Sequence, residues 1–80
     1  MNFKGLKMAL DNLGVMTTQI NNYKMRFVGD GFAGECELLG NKREYTKLVR
    51  MSVNSRYDHD QVVQAQELIE EWQRGSEKTK

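Results

Sequence analysis

The 80-residue chain has no proline, one cysteine, one histidine and one tryptophan. Each scarcity narrows what it can be. Cys36 has no second cysteine with which to close a disulfide, and no Cys/His cluster shows zinc-ligand spacing. A lone cysteine on the apolar side of a strand reads as a small buried hydrophobe, and it suits a reducing compartment. No apolar run approaches the roughly 20 residues of a membrane span, and the first residues lack the apolar stretch of a signal peptide. A cytoplasmic protein with no membrane partner is the expectation. Charge of one sign is missing too: 12 basic residues stand against 11 acidic ones, interspersed, for a net charge of +1. A dedicated nucleic-acid binder usually carries a clear basic excess. Length allows one domain, and a chain this short buries only about 60% of its unfolded surface.

What is present begins with Tyr23 to Leu38, which reads as one β-hairpin. Asp30-Gly31 suits a type I′ turn, in which both central residues take positive φ. Centring the turn there pairs Gly29 with Phe32, Phe27 with Gly34, Arg26 with Glu35, Met25 with Cys36 and Lys24 with Glu37. Alternation then puts Tyr23, Met25, Phe27, Cys36 and Leu38 on one face. Lys24, Arg26, Glu35 and Glu37 share the other, opposite charges opposed. A one-residue slip would bury those charges, so the register is well specified.

Helices flank the hairpin. Phe3, Leu6, Ala9, Leu10 and Leu13 recur at helical spacing over residues 3–13, with Asn2 as N-cap and Gly14 ending the helix. Val15 then folds back on Leu10. Residues 15–22 show no clear pattern: they fit a loop or an early extension of the first strand with a bulge near Asn21-Asn22, and read as a loop leading into the hairpin. A turn at Gly40-Asn41 leads to a third strand over residues 43–53, in which Lys47 and Leu48 each fall on the wrong side. A two-residue loop there sets Cys36 opposite Tyr45 and Glu37 opposite Glu44, a like-charge clash that a bulge would relieve. The second helix has the best start signal: Asp58 as N-cap, Gln61 completing a capping box, and Tyr57 positioned to staple onto Val62. Val62, Ala65, Ile69 and Trp72 form its stripe, and Arg74-Gly75 its end. The expectation is an α+β domain over residues 1–75. It has two layers, α-β-β-β-α, with a three-stranded antiparallel meander and both amphipathic helices packed on one face. Residues 76–80 read as a disordered polar tail.

The element order is similar to that of the double-stranded RNA-binding domain. That family implies lysines at the start of the second helix to straddle phosphates, where this chain has Asp58, His59 and Asp60. The resemblance is one of topology, and its function is not carried over.

No chemistry-bearing constellation emerges. Adjacent residues on a helix point about 100° apart, so Asp58, His59 and Asp60 do not converge on one ion. Gly29, Gly31 and Gly34 lack the strand-to-helix setting of a phosphate loop. No catalytic residue, metal or cofactor is expected. The candidate contact residues are Phe32 at the hairpin end and the cations Lys42, Arg43, Lys47, Arg50 and Arg56. Met8, Val63, Leu48 and Phe32 find no place in the core, and Gln66 and Gln73 border the helix-two stripe, where a homodimer seam could form. The leading expectation is a small non-enzymatic protein-binding module, an accessory regulator or inhibitor of the kind mobile elements carry, which occludes a surface of a larger partner. The alternative is nucleic-acid binding by the basic third strand and the turn before it.

Overall fold

Phe3, Leu6 and Leu10 are buried on one side of helix α1 (Lys4–Leu13). The computed structural model describes residues 3–40 and 45–75. Asn2, the expected N-cap, lies outside them, and Phe3 holds the cap position without a side-chain hydrogen bond. The other end of α1 closes as expected. Val15 N–H donates to the Leu10 carbonyl at 3.0 Å and Gly14 N–H to the Asp11 carbonyl at 3.1 Å, the two bonds of a Schellman motif. Val15 and Leu10 are both buried in the same apolar cluster.

The expected loop over residues 15–22 is instead a strand, β1 (Met16–Asn21), so the sheet has four strands rather than three. It pairs antiparallel with β2 (Lys24–Gly29), Met16 opposite Val28 and Gln19 opposite Met25, with a register shift between Gln19 and Asn21. Pairing with β2 makes this strand, not burial: only Thr17 is even half-buried. With nothing buried there is no inside–outside alternation to read, although Thr17, Thr18 and Ile20 are good strand residues. The fourth strand also ends the topological likeness to the RNA-binding domain.

β2 pairs with β3 (Phe32–Gly40) in the expected register, Lys24 opposite Glu37 through Gly29 opposite Phe32. The turn between them is not type I′. Gly31 has φ of 86° while Asp30 keeps a negative φ, the sign pattern of a type II turn. The segment after β4 imposes this. Asn54 N–H donates to the Gly31 carbonyl at 2.8 Å and Asp58 N–H to the Asp30 carbonyl at 3.0 Å. A Cβ at Gly31 would collide with the Arg56 carbonyl and with Tyr57, so only glycine serves there.

β4 (Tyr45–Val53) pairs with β3 four residues away from the expected register: Cys36 faces Val49 and Glu35 faces Arg50, without a bulge. The connection is thus longer than a two-residue turn. Two forces select this register. Glu35 gains a cation in place of a neutral neighbour. Lys47, set beside buried Leu38 on the inner face, gains partners on the second helix, α2 (His59–Gly75). Its Nζ donates to the Trp72 carbonyl at 2.7 Å and lies 5.0 Å from the centre of the Trp72 ring, a cation at the negative end of a helix and over an aromatic face. Gln73 Nε2 returns a bond to the Lys47 carbonyl at 3.0 Å. Lys47 is a structural residue, not a misplaced surface charge.

The sheet is an antiparallel meander in the order β1-β2-β3-β4. Met25, Phe27, Phe32, Cys36 and Leu38 form one cluster with Leu6, Leu10, Val62, Ala65 and Ile69, so both helices cover one face. Burying each large side chain contributes on the order of 1.5–3 kcal/mol. Phe32, expected at an exposed hairpin end, is 3% exposed and sits 6.4 Å from Phe27, ring centre to ring centre. Asp58 caps α2 as expected, its Oδ1 accepting from Gln61 N–H at 3.1 Å. The Gln61 side chain departs from the capping box. Its Oε1 accepts from Asp30 N–H at 2.8 Å and its Nε2 donates to the Leu13 carbonyl at 3.2 Å. One glutamine thus ties the start of α2 to the β2–β3 turn and to the end of α1.

Candidate functional site

Alternation along β2 sends Lys24, Arg26 and Val28 away from the helices, and pairing carries the same side across the sheet. This open face has a charged centre. Arg26, Glu35 and Arg50 stand in one cross-strand row. Arg50 Nη1 lies 3.1 Å from Glu35 Oε2, Arg26 Nε lies 3.9 Å from Glu35 Oε1, and Arg50 Nη1 also approaches Glu37 at 4.0 Å. Glu35 is the more buried member and both arginines are largely exposed. Such pairs order a surface more than they stabilise it, at about 0–1 kcal/mol each.

The ends of the face are apolar. Met16, Val28 and Ala33 form the row next to the charged centre, and Met16 and Val28 are 74% and 52% exposed. Leu39 and half-buried Leu48 lie towards the other end. A shallow depression of about 420 Å³ lies between the charged row and the first apolar row, with the Gly34 backbone in its lining. A Cβ on Gly34 would strike the Arg50 carbonyl and the Phe27 ring, so that close approach of strands requires glycine.

The expected contact residues are not gathered in one place. Arg50 is on the open face, Lys47 is on the helix face, and Phe32 is in the core. Burial removes Phe32 from any contact surface. Arg56 is exposed in the segment before α2, against the β2–β3 turn. Lys42 and Arg43 lie outside the described residues. Arg26 and Glu35 stand on the charged face of the hairpin already in the sequence, whereas Val28 and Met16 are not singled out there as a surface. Val28 could have been, because its place beside Phe27 in the hairpin register already sends it outwards. Met16 could not be assigned without β1.

Other reactive groups are occupied or dispersed. Cys36 is fully buried, and burial, helped by the neighbouring charge of Glu35, pushes its thiol up to about 12, leaving no thiolate at neutral pH. His59 and Asp60 are exposed and 3.9 Å apart, and among the described residues no three His, Cys, Asp or Glu side chains come together. Among the described residues, no helix is long and apolar enough to cross a membrane.

Known families, curated proteins and solved structures give no match to this chain.

Proposed function

We propose that this chain is a small non-enzymatic binding module that works by covering a surface of a larger protein, as an accessory regulator or inhibitor of the kind mobile elements carry. The observation that supports it is the open face of the sheet. There the side chains are those of recognition: exposed Met16 and Val28 beside the Arg26–Glu35–Arg50 row. Large exposed apolar side chains in one row of a rigid sheet, rimmed by charges, suit a protein partner. The pre-formed backbone keeps the ordering needed on binding small.

The nucleic-acid alternative draws less support. Phosphate binding requires cations free to track a backbone, and this reading named Lys42, Arg43, Lys47, Arg50 and Arg56. Arg50 is engaged by Glu35, and Lys47 lies on the opposite face with its ammonium on the Trp72 carbonyl.

The test is capture from the native host with three baits: the wild type, Val28→Asp and Arg50→Glu. A partner retained by the wild type and lost with both variants supports the open face. Full retention by both variants overturns it. Binding of random duplex DNA and RNA at two salt concentrations runs alongside, and binding that collapses as salt rises moves the assignment to nucleic acid.

A further inference from the structure

β1 is the edge of the sheet, and its six residues, Met-Thr-Thr-Gln-Ile-Asn, contain neither charge nor proline. A lysine, an inward charge or a proline is how natural edges avoid pairing with another strand. The far edge has such protection, since β4 carries Lys47 and Arg50. The only irregularity in β1 is the register shift at Ile20, near its end. We infer that β1 is a dimerisation edge, and that it takes the β1 strand of a second copy of this chain in antiparallel pairing.

The second copy fits for three reasons. Symmetry comes first. A two-fold axis perpendicular to the sheet keeps open face with open face, so opposed residues must share a face. Centred on Thr18, it opposes Thr18 to Thr18, Met16 to Ile20 and Thr17 to Gln19. Alternation carries Met16, Thr18 and Ile20 to the same side, and Met16 and Ile20 are the exposed large apolar side chains of this strand, at 74% and 47%. This register covers both at once, and it makes a Thr–Thr cross-strand pair at the axis. Centring on Thr17 or Gln19 instead leaves Met16 opposite a polar residue.

Charge is the second reason. A strand with no charge meets its own copy without repulsion, and the whole chain carries only +1. On the helix side of the seam, Thr17 is bonded to Asp11, which is paired with Lys7. Each copy therefore brings one charge of each sign. β4 is not neutral in this way, since it carries Lys47 on one face and Arg50 on the other. Continuity is the third. Val28 lies directly beside Met16, so the second copy's Ile20 extends the apolar row of Met16, Val28 and Ala33 across the seam, within a sheet of eight strands. The inference does not depend on the proposed docking function.

The experiment is molar mass in solution for the full chain, measured from about 1 to about 500 µM, because a dimer forms by mass action. The mass should rise from 9.3 kDa towards twice that value. Ile20→Lys should stay at the mass of one chain, with the wild-type circular dichroism spectrum. Register is tested by Thr18→Cys, which should form a disulfide-linked dimer under mild oxidation, since opposed strand residues have a Cα separation that a disulfide spans. Gln19→Cys should crosslink far more slowly. Buried Cys36 is a common background to both. A one-chain mass throughout, a dimer that survives Ile20→Lys, or equal crosslinking by the two cysteine variants each overturns the inference. Ile20→Lys leaves Val28 and Arg50 in place, so loss of the dimer with retained partner capture separates this result from failure of the docking reading.

Discussion

The two edges of the sheet are built on opposite plans. β4 is anchored from below: Lys47 exchanges bonds with Trp72 and Gln73 in the last turns of α2, and Val49 and Met51 are half-buried against the core. β1 reaches the helix layer through the 2.7 Å bond from Thr17 Oγ1 to Asp11 Oδ1. One edge is held by packing and carries charge. The other is held by its neighbour strand and carries none. An edge can be left bare when its residues are spared for pairing elsewhere, and β1 has the composition for that use while β4 does not.

The comparison breaks most visibly on removing volume beside each edge. Ile69→Ala, in the core on the α2 side, should lower stability by about 2–5 kcal/mol, a large share of what a domain this small holds. Ile20→Ala on β1 should change it by less than about 0.5 kcal/mol, in urea unfolding at a concentration where the chain is a monomer. Equal losses would mean that β1 is packed as firmly as β4.

Lys47 sharpens the same contrast. Lys47→Ala removes the bond to the Trp72 carbonyl and the contact with its ring, and should cost about 1–2 kcal/mol. Lys47→Met restores the packing of the stem without the charge. Recovery of half or more of the loss would assign the anchor to packing, and no recovery would assign it to the ammonium. On the open face the effect is smaller. Arg50→Glu sets a third carboxylate beside Glu35 and Glu37 and should cost about 0.5–1 kcal/mol. Added salt should narrow that difference, because exposed charges are screened.

How far these features can be read in the chain depends on what each residue answers to. The β2–β3 register is legible because alternation and opposed charges from Lys24 to Glu37 agree with a turn at Asp30-Gly31. The same dipeptide misleads about turn type, because Gly31 answers to Asn54 and Arg56, which are distant in the chain. Gly40-Asn41 likewise suggests a two-residue turn, while the pairing that decides the register, Glu35 with Arg50, spans fifteen positions. Lys47 looks misplaced until Trp72, twenty-five positions on, supplies a carbonyl. β1 is illegible for a different reason: an exposed edge strand buries nothing, so it leaves no periodic trace. The candidate site is least legible, since an open face is defined by pairing across strands, whereas nearness along the chain groups Lys47 with Arg50, which stand on opposite faces.

The smallest effect concerns the tie between β1 and α1 at Thr17 and Asp11. The Thr17 hydroxyl, and after it the Lys7 ammonium, hold the Asp11 carboxyl below its usual value. A carboxylate with a lower pKa in the folded chain stabilises the fold at any pH above its unfolded value, near 4. That contribution is lost as pH falls through the folded value. The stability difference between the wild type and Asp11→Asn should therefore be constant from about pH 7 to about pH 5 and shrink below about pH 4. Thr17→Val should give the same profile, because it removes the stronger of the two partners. Should the Asp11→Asn difference persist undiminished into strong acid, the ionised carboxylate is not what fastens β1 to α1, and this edge is held by strand pairing alone.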